Sequence, residues 1–136
     1  MDPMETIQGW EKAWNSGDYE KAHSYNAEDY ALEMVPTGVV AKNKAEVRSY
    51  MDTILQAFPD LKFEDRGAIV SGNKAAWEYV MSGTQKKEFR GIPATGKSFS
   101  VRCCSILEFD EGGLFKRETV YLDVATMLRQ LAPSPT

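Results

Sequence analysis

"SFSVRCCSILEF", residues 98–109, is the stretch that decides the fold. Counted in twos, Phe99, Val101, Cys103, Ser105, Leu107 and Phe109 share one face of a strand. Ser98, Ser100, Arg102 and Glu108 share the other. The odd face is the core face, and Ser105 is its one polar interruption. "KAAWEYVMSGT" (74–84) repeats the pattern, with Ala75, Trp77, Tyr79 and Met81 turned inward. "LKFEDRGAIV" (61–70) and "LFKRETVYLD" (114–123) read as two further strands, and "SGN" and "DEGG" as hairpin turns. "QKKEFRGIPATGK" (85–97) is a longer connection rich in Gly and Pro. Two places leave the inward face open. In 115–123, Phe115 and Tyr121 compete with Val120 and Leu122; in 30–35, Tyr30, Leu32 and Met34 oppose Ala31, Glu33 and Val35.

The first half has a helical period. Met4, Ile7, Trp10 and Trp14 form one stripe over residues 4–15. Gly17 suits a left-handed cap, and Asp18 can cap a second helix over 19–27. "YALEMV" (30–35) is strand-like and ends at "PTG". "NKAE" (43–46) reads as a capping box, with Asn43 at the cap and Glu46 facing it. A third helix follows to about Ala57, burying Val47, Tyr50, Met51, Ile54 and Leu55 until Pro59 ends it. "VATMLRQL" (124–131) is a short terminal helix, and 132–136 a frayed tail. Helices followed by a long antiparallel run predict an α+β fold. One domain spanning 1–136 is expected: a curved antiparallel sheet wrapped around N-terminal helices as a half-open cone with an apolar cavity.

Composition narrows the function. The 136 residues are 43% hydrophobic and 26% charged, which suits a globular domain. A net charge of −4 does not favour a nucleic-acid surface. No apolar run reaches the ~18 residues of a membrane span, and "MDPMETIQ" lacks a signal-peptide layout. Cys103 and Cys104 are adjacent and point to opposite faces, so no disulfide joins them. A single histidine and no C-x-x-C argue against zinc. "GIPATG" has no GK[ST] ending, so no phosphate loop is expected. A cytoplasmic protein needing no metal or nucleotide cofactor is the expectation.

An ordered set of motifs carries a resemblance. "WEKAWNSGD" (10–18), "AFPDL" (57–61), "GTQKKEFRGIPATGK" (83–97), "FDEGG" (109–113) and "YLDVATMLRQL" (121–131) resemble the SnoaL-like polyketide cyclases. These belong to the nuclear-transport-factor-2-like superfamily, with ketosteroid isomerase and scytalone dehydratase. The resemblance implies a cone-shaped sheet, a pocket between sheet and helices, and a homodimer joined through the sheets. It also implies a general acid/base at Asp123, which would make the face of Thr119 and Tyr121 the pocket face. Three positions depart from the family pattern: Gln85 and Glu33 stand where histidine is frequent, and Thr119 where tryptophan is usual.

The expected chemistry is proton transfer next to a carbonyl on a small hydrophobic, polycyclic or aromatic substrate. A carboxylate in an apolar pocket has a raised pKa and can shuttle such a proton near neutrality. Asp123 is the expected acid/base, Glu33 a second carboxylate, and Tyr121 or Ser105 a donor to the developing oxyanion. Trp14, Trp77, Tyr79, Met81 and Phe99 would wall the substrate, with Gln85, Ser105 and Thr119 as its polar contacts. Asp123 directly before "VATML" fits a helix N-cap equally well. His23 reads as a surface or helix-packing residue. The alternatives are a ligand- or partner-binding module on the same fold, and an epoxide-hydrolase-like or dehydratase activity. Hydrolysis of that type would want Arg102 inside, and its even position turns it away.

Overall fold

The computed structural model describes residues 1–133. The chain runs α1 (Pro3–Asn15), α2 (Tyr19–Ser24), β1 (Asn26–Met34), β2 (Val39–Ala41), α3 (Lys44–Ala57), β3 (Lys62–Ser71), β4 (Lys74–Thr84), β5 (Ser98–Phe109), β6 (Phe115–Leu122), α4 (Val124–Leu131). The strands form one curved, unclosed sheet in the order β2-β1-β6-β5-β4-β3. The fold is α+β with helices packed on the concave side, as the sequence implies.

Local chemistry sets the helix ends. Asp2 caps α1 by accepting from the Glu5 amide at 2.9 Å, and Glu5 answers on the cap backbone. Asn43 caps α3 through the Glu46 amide at 2.9 Å. Asp18 caps α2, and Gly17 takes φ +83° between the first two helices. The second helix stops at Ser24, earlier than its sequence suggests, because Asn26 already pairs with Phe115 in the sheet. Strand β2, three residues long, has no clear signal in the sequence. Ala132 closes α4; the rest of the expected tail, 134–136, lies outside the described residues.

The sheet differs from a purely antiparallel one at a single seam. Strands β3 to β6 pair antiparallel, but β1 runs parallel to β6. Inward alternation holds on β4 and β5: Ala75, Trp77 and Tyr79, then Phe99, Val101, Cys103, Ser105, Leu107 and Phe109, are all buried. On β6 it changes phase. Phe109 pairs with Phe115, yet Glu108 pairs with Arg117, so Lys116 is an extra residue in the ladder. Phe115 is inside before this bulge; after it Glu118, Val120 and Leu122 are inside. The core gathers around Trp10 and Trp14, stacked at 5.5 Å, with Phe63 and Trp77 edge-on to Trp10. Trp14 is 1% exposed and donates its indole N–H to the Leu61 carbonyl at 3.3 Å. Its truncation to alanine would cost about 3–5 kcal/mol.

Candidate functional site

Two chambers open between the sheet and the helices. The deeper, about 80 Å³, is walled by Trp10, Trp14, Phe63, Trp77 and Tyr79, with His23, Asn26, Tyr30 and Glu118 as its polar groups. The outer, about 250 Å³, lies under α4 and the 85–97 loop and is walled by Phe58, Phe89, Phe99 and Met127. They share Met34, Tyr50, Ile54, Met81 and Leu122. Together they reach the lower end of the ~300–1,000 Å³ of small-molecule sites. Methionine side chains in the shared wall can repack around a ligand.

The deep chamber holds one organised polar network. Glu118 accepts the Tyr30 hydroxyl on Oε1 and the Ser105 hydroxyl on Oε2, the latter at 2.6 Å. Tyr79 Oη lies 2.8 Å from Ser105 Oγ. A serine hydroxyl has one proton, and Ser105 gives it to Glu118, so Tyr79 donates to Ser105. Burial raises the Glu118 carboxyl above its ordinary range, while the Ser105 and Tyr30 hydroxyls pull it back down. Burial also holds the Tyr30 and Tyr79 hydroxyls far above theirs, so both stay protonated donors. Cys103 lines the same chamber, but burial pushes its thiol up to about 12, which leaves no thiolate for nucleophilic work.

His23 stands apart from this network. It is 3% exposed, edge-on to Trp14 at 6.2 Å, and neither ring nitrogen has a hydrogen-bond partner among the described residues. Burial lowers its pKa most, helped by the nearby Arg48 charge, so the imidazole is held neutral. A buried imidazole without partners is costly unless something else fills the chamber. Of the two roles read from the sequence, surface or helix packing, the structure takes the second: α2 lays His23 against Trp14 of α1, and the ring also lines the deep chamber.

Several expected pocket residues lie elsewhere. Asp123 is exposed and caps α4, accepting the Thr126 amide at 2.9 Å and its hydroxyl at 2.6 Å. The Thr126 hydroxyl bond leads the contacts that hold its carboxyl below the usual range, the opposite of a desolvated acid. Tyr121 is 48% exposed on the convex face, and Thr119 sits on that face between Ile106 and Glu33. Glu33 is exposed because Tyr30, Leu32 and Met34 are the inward set of β1. The bulge at Lys116 is the reason for the β6 reversal. Gln85 is fully buried, but it bonds the loop backbone at Lys87 and Ile92 and lines neither chamber. Arg102 is on the convex face, paired with Glu78 at 3.2 Å, so it belongs to no Asp-Arg-Asp group inside the chambers. Trp14, Trp77, Tyr79 and Met81 do line the deep chamber, Met81 and Phe99 the outer one, and Ser105 belongs to the network. The sequence reading missed Glu118, Tyr30, Asn26 and His23. The signal for Glu118 was its shared parity with Val120 and Leu122.

Known proteins agree with this architecture. IdmH of Streptomyces antibioticus, a candidate polyketide cyclase, is 26% identical, with 96% of this chain and 99% of that one covered and a TM-score of 0.82. TsrD of Streptomyces laurentii is also 26% identical, covering 94% and 92%, with a TM-score of 0.81. A protein of ketosteroid isomerase-like fold from Catenulispora acidiphila, solved with trimethylamine, is 18% identical over 99% and 100%, with a TM-score of 0.80, and bears on the fold alone. No curated protein matches the sequence. The profile of one family matches residues 5–131, nearly the whole length, and on that match the chain belongs to the SnoaL-like polyketide cyclase family.

Proposed function

We propose that the chain is a cofactor-independent acid/base enzyme of cyclase or isomerase type, acting on a hydrophobic carbonyl compound held across both chambers. The observation that carries this reading is Glu118: a pocket carboxylate braced on both oxygens by buried hydroxyls, in the same chamber as a partnerless neutral imidazole. Glu118 would take a proton from the carbon next to the carbonyl and return it after the bond rearranges. His23 would donate its ring N–H to the developing enolate oxygen. The aromatic walls would keep water out and hold a flat substrate. The acid that the resemblance places at Asp123 is moved to Glu118 in this scheme.

A direct test needs no knowledge of the natural substrate. In D2O the protein should speed deuterium exchange next to the carbonyl of 2-tetralone, a bicyclic aromatic ketone, followed by NMR. Glu118→Gln should lower that rate by about 10²–10⁴-fold. Equal rates for the two proteins would remove Glu118 as the proton carrier. Tight binding of the ketone without exchange in either would favour a binding module.

The convex face supports a homodimer as part of the same reading. Ile69, Ala76, Ile106, Thr119, Glu33 and Val40 lie side by side in one row across all six strands, and Ile106 and Ile69 are 43% and 78% exposed. Such a face is normally covered. Light scattering should give twice the chain mass at micromolar concentration, and Ile106→Lys should shift it toward the monomer. A monomer for the unaltered chain would end this part of the reading.

A further inference from the structure

The geometry points to Arg90 as the anchor for a negatively charged group, a carboxylate, on the substrate. Among the described residues lining the two chambers, Arg90 is the one cation, and it sits at the outer end. It has no ion pair and no hydrogen bond within the described chain. Its charge acts on Tyr50, which belongs to the wall between the chambers. A substrate reaching from Glu118 to the mouth therefore runs from the polar deep end, past methionine and aromatic walls, to one unpaired guanidinium. Arginine at such a mouth suits a carboxylate, which it binds through two parallel N–H donors.

The backbone gives an independent reason. Phe89 and Ile92 exchange both backbone hydrogen bonds, at 3.0 and 2.9 Å, around a two-residue turn of Arg90 and Gly91. Arg90 has φ +52° and Gly91 φ +83°, so both occupy left-handed positions. Asn, Asp or Gly is preferred at the first of these, and a long side chain there is strained. Arg90 is the only residue other than glycine with positive φ among those described. The turn is also held firmly. Gln85 Nε2 donates to Lys87 O at 3.1 Å and to Ile92 O at 2.9 Å, and the one proton of the Thr95 hydroxyl is within reach of either Gln85 Oε1, at 3.3 Å, or Leu131 O, at 3.1 Å. Phe89 packs against Phe58 at 5.1 Å. Gln85 is thus a positioning residue: it presents Arg90 at a fixed place on the rim.

This inference rests on the pocket reading above, and the test separates the two. Binding of 2-naphthoic acid and of neutral 2-naphthamide would be compared by calorimetry at low salt. The unaltered protein should hold the acid about tenfold more tightly than the amide. Arg90→Asn, which suits the turn, should abolish that preference, leave amide binding unchanged and keep or raise the melting temperature. Equal affinity for the two probes in the unaltered protein, or an acid preference that survives Arg90→Asn, overturns the anchor. Binding of neither probe overturns the anchor and the pocket together. The same preference in Glu118→Gln, with ketone exchange absent from both proteins, would leave the anchor standing and the catalytic reading fallen.

Discussion

Glu118 and Asp123 lie on one short stretch of chain and have opposite surroundings. Glu118 faces the concave side, braced by Tyr30 and Ser105 among aromatic walls. Asp123 lies just past the strand, exposed, with its oxygens on Thr126. Burial raises the first carboxyl; hydrogen bonds, chiefly from the Thr126 hydroxyl, lower the second. The difference shows that an acid's position near a strand end says little about its chemistry. What decides is which side of the sheet it occupies and whether its partners serve the pocket or a helix end.

The largest effect should come from breaking that contrast at its inner end. Glu118→Gln is expected to lower ketone exchange by about 10²–10⁴-fold, while Asp123→Asn leaves it within about twofold, in the same NMR assay. If Asp123→Asn proved the more damaging change, the contrast would be inverted. Next in size, His23→Phe keeps the edge-on packing against Trp14 and removes the N–H, and should cost about 10²–10³-fold in turnover. A fall no greater than twofold would leave the imidazole as packing alone.

The pH dependence sharpens the comparison further. Glu118 must lose its proton to act as a base, and its folded pKa is raised, so exchange should switch on with rising pH above the ordinary glutamate value of 4.5. In Glu118→Gln that limb should vanish. His23 carries the reverse sign for stability. Its folded pKa is depressed below 6.5, so the unfolded chain binds the proton first and stability falls as pH drops through that region. Melting curves between pH 7 and 5 should show this slope, and His23→Phe should flatten it. The smallest effect belongs to the outer end: Asp123→Ala removes the α4 cap and should lower the melting temperature by roughly 2–6 °C with exchange unchanged.

How far the sequence reached follows from where its periodicity was unbroken. Strands β4 and β5 pair residue for residue from Lys74 to Thr84, so counting in twos put Trp77, Tyr79 and Ser105 inside. The cap at Asn43 and the alternative role of Asp123 as a cap were legible because each depends on three or four neighbouring residues. The chamber side of β6 was not, because the Lys116 bulge reverses parity between Phe115 and Glu118. The parallel seam with β1 was invisible too: it joins Leu32 to Glu118 across most of the chain. His23 was lost for a different reason. A six-residue helix gives too few turns to define a buried stripe, and only its packing against Trp14 shows which way the ring points.

The bulge at Lys116 has a consequence for comparing this chain with its relatives. A relative without the bulge would have one fewer residue between the aromatic that opens β6 and the groups lining the chamber. A gapless alignment through that point would match this chain's concave residues to the relative's convex ones, and would transfer a catalytic assignment to the wrong side of the sheet. Removing Lys116 itself would close the ladder, because Phe115 and Arg117 already sit opposite consecutive residues of β5. The faces of Glu118, Val120 and Leu122 would survive the deletion, and only the local bend would be lost. One insertion or deletion can therefore pass unnoticed by the chemistry and still displace every position-by-position inference drawn downstream of it.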